Sequence, residues 1–336
     1  MTTTQTILRA LLLLVTLAPA VAEADPLYSS RFLVFDTELN LVDAFAERPD
    51  VQINQFEFLS DGNLLALFYG QPIHVYTSNG VLIDTFGESL AQPLAVAVNR
   101  GSSDEIYIAD GAPDLIRVFD NAGLETRQIT NPEFNFPTLL TFDEATGSLV
   151  TDINFLPSGQ GPDLVRIDLN GNILARNSSA IIFGTTGGGI HDVTPSGNGT
   201  FYVTSTLNTE VAEVDQDLQL LRRFPTGAVS GGLRILSSAI SPDGAQLYVA
   251  DFNHYSGAGI LRIFDSLSGD PEALFTHAAL NGPVDLHFDS RGFLFIADFN
   301  FVPPVPEPSS LALVGLGVVA AVRRVRKTRR VQALRP

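Results

Sequence analysis

A Pro306-Glu307-Pro308 triplet is followed by the small residues Ser309 and Ser310, by a run of 12 apolar residues (311–322) and by Arg323, Arg324, Arg326, Lys327, Arg329 and Arg330. The chemistry this pattern serves is done to the chain and not by it. Two prolines hold a short segment extended and outside any helix. The apolar run is short of the roughly 20 residues of a full membrane span, and its basic flank stays on the cytoplasmic side. Together they present one backbone site to a membrane protease at fixed depth. Elsewhere the usual reactive constellations are missing. The chain has no Cys, hence no thiol nucleophile, thiolate metal site or disulfide. No G-x-S-x-G elbow occurs. His74, His254, His277 and His287 are scattered without metal-ligand spacing and read as surface or inter-strand residues. The DLNGN stretch at Asp168 lacks the remaining acidic positions of a Ca²⁺ loop and reads as a hairpin turn. The Gly-rich residues 184–189 precede no helix that would bind phosphate, and read as a linker.

The tail closely resembles the PEP-CTERM sorting signal of exopolysaccharide-producing Gram-negative bacteria, with Pro306, Glu307 and Pro308 as the triplet. The resemblance implies recognition and processing by an exosortase-type membrane protease, with the membrane engaged through the C-terminal helix until processing. Residues 303–336 are assigned to this signal. At the other end, residues 1–24 read as a secretory signal peptide. Arg9 supplies the charge, residues 10–18 the apolar stretch, and Ala20-Val21-Ala22 or Ala22-Glu23-Ala24 the cleavage site. The expected route is export, inner-membrane tethering, then the cell surface or extracellular space.

Between these addresses, residues 25–302 hold 12 basic and 35 acidic residues, a net charge of about −23. That field repels nucleic acid and favours cations or basic partners. Short alternating segments separated by Gly, Asp, Asn and Pro predict an all-β domain. The segments repeat: ISPDGAQLYVADFNH from Ile240, FDSRGFLFIADFN from Phe288 and NRGSSDEIYIADG from Asn99 each join a turn, a strand and a terminal Asp. Third strands follow at Ile73, Ile116, Leu164 and Ile260, each leading through a turn into a fourth. Four strands per unit at intervals of roughly 40–50 residues predict β-propeller blades. Five full units start near Ile53, Pro93, Pro137, Gly189 and Leu236, and a half unit starts at Pro283. Residues 31–45 look like the missing third and fourth strands of that half unit. The expectation is a six-bladed propeller closed by N- and C-terminal strands. Asp110, Asp251 and Asp298, recurring where second strands end, read as turn-capping residues.

The blades resemble the NHL-repeat group and, more loosely, six-bladed lactonases of the gluconolactonase and regucalcin type. The latter resemblance implies a divalent cation in the channel, held by residues near the starts of inner strands. Aligning blades on the turn Gly and the second strand places Asp285 with Asp192, Ser238, Gln55 and Ala95, and with Thr138 or Leu139 in the blade from Pro137. Asp192 and Asp285 are thus the candidate metal ligands, for Ca²⁺ or another divalent cation. Ser238 stands where that family carries an Asn, and Glu57 is nearest to its early Glu. His191 is the candidate base, although neighbours on a strand face opposite ways. The expected function is a non-enzymatic binding module for exopolysaccharide or a surface protein. The alternatives are a metal-dependent lactonase-like hydrolase and a Ca²⁺-binding extracellular structural protein.

Overall fold

The computed structural model describes residues 28–301 apart from 102, 155–161, 185–188, 228–232 and 254–258. The expected signal peptide, the sorting triplet with its apolar and basic flanks, and His254 lie outside the described residues. Among the described residues no helix is long and apolar enough to cross a membrane.

Six four-stranded antiparallel sheets form the blades of a propeller, each running from an inner channel strand to an outer edge strand. Five are continuous in sequence, with inner strands Ile53–Phe58, Pro93–Asn99, Leu140–Asp143, Ile190–Pro195 and Leu233–Ile240. We number these blades 1 to 5. Blade 6 takes its two inner strands, Pro283–Phe288 and Leu294–Phe301, from the end of the domain, and its two outer strands, Tyr28–Phe35 and Leu41–Pro49, from the beginning. Phe32 faces Ala297 and Phe35 faces Leu294 in this junction. The expected closure is therefore present, and it removes the two free sheet edges an open ring would expose. The salt bridge from Arg31 to the buried Asp298, at 3.3 Å, ties the first and last strands of the propeller together again.

The core lies between blades. Six clusters of buried side chains each join two neighbouring sheets, as in the contact of Tyr107 and Ile116 of blade 2 with Leu149 and Val165 of blade 3. Second strands are sandwiched on both faces, so Leu64–Phe68 and Ser148–Ile153 are buried throughout and read as continuous runs. Outer strands cover a neighbour with one face only, and Leu220–Pro225 alternates accordingly. Their hairpins are built by Asp. Asp120 Oδ1 accepts from the amides of Ala122 and Leu124 at 3.0 and 2.9 Å. Asp168 does the same for Asn170 and Asn172, both at 2.9 Å, so DLNGN is a hairpin turn. A single helical turn, Ser179–Phe183, was not foreseen; Ser178 caps it and Gly184, at φ +72°, ends it.

In blades 2, 3 and 6 a second-strand aspartate anchors the blade to its own lead-in. Asp110 accepts the amides of Ala91 and Gln92 at 3.1 and 2.6 Å and pairs with Arg117 at 2.9 Å. Asp298 accepts those of Asn281 and Gly282, both at 2.9 Å. Asp251 pairs with Arg262 at 2.7 Å. Asp152, whose blade lacks the recurring ADF/ADG ending, holds Thr138 and Leu139 in the same manner, at 2.6 and 3.0 Å. Burial pushes the Asp152 carboxyl up to about 6.

The closing blade meets blade 1 at Gly80. This residue sits at φ +81°, and a Cβ there would lie 2.4 Å from Cγ of Phe45. Gly80→Ala thus combines backbone strain with overpacking at the closure, and is expected to cost about 1–3 kcal/mol. Denaturant titration of the variant against the parent protein measures it.

Candidate functional site

Each inner strand has one edge in the channel, where its outward N–H groups have no further strand to pair with. Buried donors of this kind need acceptors, and side chains of the preceding blade supply three of them. Asp285 Oδ2 of blade 6 accepts from Phe56 N–H of blade 1 at 2.8 Å. Gln55 Oε1 of blade 1 accepts from Val96 N–H of blade 2 at 2.8 Å. Asp192 Oδ2 of blade 4 accepts from Ser238 N–H of blade 5 at 2.8 Å. Asp285, Asp192 and Gln55 therefore occupy equivalent positions, and they act as clasps between blades. The expected equivalence of Ser238 is one residue off. Asp192 faces Thr204 and Asp285 faces Ala297 after the same one-residue register shift that blade 5 has before Ser238. The first hairpin of blade 5 is one residue longer, however, closing from Ser241 to Gln246 where that of blade 6 closes from Asp289 to Phe293. It is Ser237 that falls in line with Asp285, and its hydroxyl lies 3.0 Å from Asp192 and 2.9 Å from Asp285. In blade 3 the pairing sets Leu140 opposite Thr151, leaving an apolar residue in the ring.

A chain of polar contacts runs from these clasps around the channel through all six blades. The exposed Glu144 of blade 3 lies 3.4 Å from Arg100 of blade 2, and Arg100 pairs closely with Glu57 of blade 1. Arg100 Nε also donates to Phe58 O at 3.1 Å. His287 of blade 6 stands between Glu57 at 3.6 Å and Asp285 at 3.5 Å. Ser237 of blade 5 then leads to Asp192 of blade 4. Burial alone would lower the His287 pKa, but Glu57, Asp285 and Asp192 outweigh it and hold the imidazole at about 9. Burial, reinforced by the Asp285 charge, pushes Asp192 up to about 6. Of these residues, Arg100 and His287 were missed by the sequence reading. One is a lone Arg after a strand and the other one of five scattered His, and the contacts between them cross blade boundaries.

Glu57 and His287 of this polar chain lie in the floor of a funnel of about 850 Å³ at the mouth framed by the first hairpin of each blade, and Arg100 and Glu144 stand in two of those hairpins. Gln55, Glu57, Thr141, Thr194, Ser238 and His287 line its depth. A smaller cavity of about 510 Å³ opens at the opposite mouth and shares Gln55 and Asp192 with the funnel. His191 lies in that second cavity, with Nδ1 2.5 Å from the Leu236 carbonyl. Of the other histidines, His74 is buried beside Tyr76 at 3.2 Å, with its pKa lowered by burial to about 4. His277 accepts the amide of Ala279 at 3.1 Å.

The donor set fits a divalent cation poorly. The Asp192 and Asp285 oxygens point at N–H and O–H donors, which a cation would have to displace. Among the described residues no group of three or more His, Asp or Glu is arranged to hold a metal.

Comparison with known proteins separates the sorting signal from the propeller. Residues 304–327 match the PEP-CTERM protein-sorting motif, which marks an exported, exosortase-sorted protein. No curated protein matches the chain. Solved structures similar to it include a protein of unknown function from Bacteroides caccae (TM-score 0.57, 11 % identity, 77 % of this chain and 98 % of that one). Others are the C-terminal WD40 domain of Sif2 (0.53, 14 %, 84 % and 93 %) and Kuenenia stuttgartiensis hydrazine synthase (0.57, 14 %, 80 % and 86 %). At such identities the likeness is one of fold alone.

Two outcomes follow from the floor. His287 carries a pKa raised from 6.5 to about 9, so its stabilising contribution is complete below pH 6.5 and lost as pH rises through 9. Melting of the parent protein is expected to weaken by about 1–3 kcal/mol over that window, and His287→Gln to remove this component of the slope. Thermal melts in EDTA and in excess Ca²⁺ are expected to coincide. A bound ion at a hundredfold excess over its Kd would instead add about 2.7 kcal/mol.

Proposed function

We propose that the chain is exported from a Gram-negative cell, tethered through its C-terminal apolar run, and processed by an exosortase-type protease at the Pro306-Glu307-Pro308 signal. The propeller then works at the cell surface or in the extracellular matrix as a non-enzymatic binding module, with its ligand seated in the hairpin-side funnel. One observation carries this reading: a cavity of about 850 Å³ braced from rim to floor by a chain of polar side chains drawn from all six blades. Its volume lies in the range of ordinary ligand sites. A floor held by ion pairs and hydrogen bonds gives a ligand fixed partners and limits the ordering cost of binding. The lactonase-like alternative lacks comparable support, since catalysis there needs a polarising metal with an open position and a base in reach.

Glu307→Ala is expected to leave the unprocessed precursor in the membrane fraction, read by immunoblot of fractionated cells. Thr141→Trp, which fills the funnel from blade 3, is expected to leave processing intact. It would abolish retention of the protein on the cell's own surface polysaccharide or matrix. Retention equal to that of the parent protein would rule the funnel out as the seat.

A further inference from the structure

We infer that the funnel recognises an uncharged saccharide bearing vicinal diols, an assignment that rests on the funnel being the ligand seat. Three of the acids at its mouth are already committed. Asp61 accepts the amide of Asn63 at 2.9 Å, and Asp143 that of Ala145 at 3.1 Å. Asp289 accepts the amides of Arg291 and Phe293, both at 2.9 Å. These carboxylates shape hairpins and do not converge on a common point.

The floor presents opposite polarities side by side. Glu57 is an acceptor set between the donors Arg100 and His287. Beside them Thr194 and Ser238 pair their hydroxyls at 2.7 Å, and Thr194 also donates to Ser238 O at 2.8 Å. A ligand of one sign meets a repelling group beside each attracting one. Polyanions are turned away further by the net charge of about −23 on residues 25–302. An apolar ligand would strip water from charged groups and return no hydrogen bonds. Adjacent sugar hydroxyls each donate and accept, so a diol can give to Glu57 while taking from Arg100 or His287. Hydrogen bonds to charged partners are the stronger kind.

The walls suit the other face of a sugar ring. Phe142 and Phe288 border the cavity and are half-buried. Phe142 is held parallel to Tyr107 at 5.9 Å, and Phe288 edge-on to Tyr248 at 5.1 Å. Their exposed parts offer rigid apolar surface against which the C–H face of a pyranose can lie.

Calorimetric titration of the full-length protein tests this with neutral oligosaccharides of glucan, galactan, mannan and xylan. The same sugars are titrated after periodate cleavage of their diols, and a polyuronate serves as the charged comparison. At least one neutral oligosaccharide is expected to bind. Its periodate-cleaved form and the polyuronate are expected to bind at least about tenfold more weakly, as are Arg100→Gln and Thr141→Trp with the intact sugar. Undiminished binding after periodate, or failure of every neutral sugar, overturns the ligand class. A polyuronate that binds and is blocked by Thr141→Trp overturns the class while sparing the funnel. Binding of a neutral sugar that Thr141→Trp leaves unchanged overturns the inference through its premise, the funnel itself.

Discussion

Six inner strands meet at a channel that no further strand can fill, and their channel-facing N–H groups need side chains or water as acceptors. That constraint explains the inner ring. Gln55, Asp192 and Asp285 each reach across a blade boundary to accept the amide of the next inner strand. An acceptor there both satisfies a buried donor and helps to fix the spacing of two blades, beside the ion pairs and hydrogen bonds that cross the same boundaries. Removing one would leave the donor unpaired, at a cost of about 1–3 kcal/mol.

The clasps also decide what the channel has left to offer. Carboxylates turned toward amides are poor ligands for a cation, so the acids that look most like a metal site are taken up by the fold. Their charge is handed on to His287, and Glu57 in turn holds both His287 and Arg100. The funnel floor is therefore an ordered alternation of donors and acceptors, with buried charges paired. A domain with only 12 basic residues among residues 25–302 places one of them, Arg100, where it joins blades 1, 2 and 3.

Sorting and folding use different parts of the chain. The last propeller strand ends at Phe301, and the sorting motif spans residues 304–327. Tyr28–Phe35 cannot pair with Leu294–Phe301 until both ends of the domain have been made. Closure of the ring is thus its longest-range step, with the large loop-closure entropy that implies.

Local pattern made the sorting triplet, the turn aspartates, the strand alternation and the count of six blades readable, because each is set by residues within a few positions of one another. The half unit at Pro283 and its complement at residues 31–45 were also legible, since a blade missing two strands demands them. Ser238 was put in the place of Ser237 because the first hairpin of blade 5 is one residue longer than that of blade 6, which shifts an alignment anchored on the second strand. The sequence by itself determined the fold class, the closure and the address. Only the tertiary structure decided that Asp192 and Asp285 face amides and that Glu144, Arg100, Glu57 and His287 form one chain. Those contacts join residues more than 40 positions apart, and which blades become neighbours around the ring, at what register, is settled only when the ring closes.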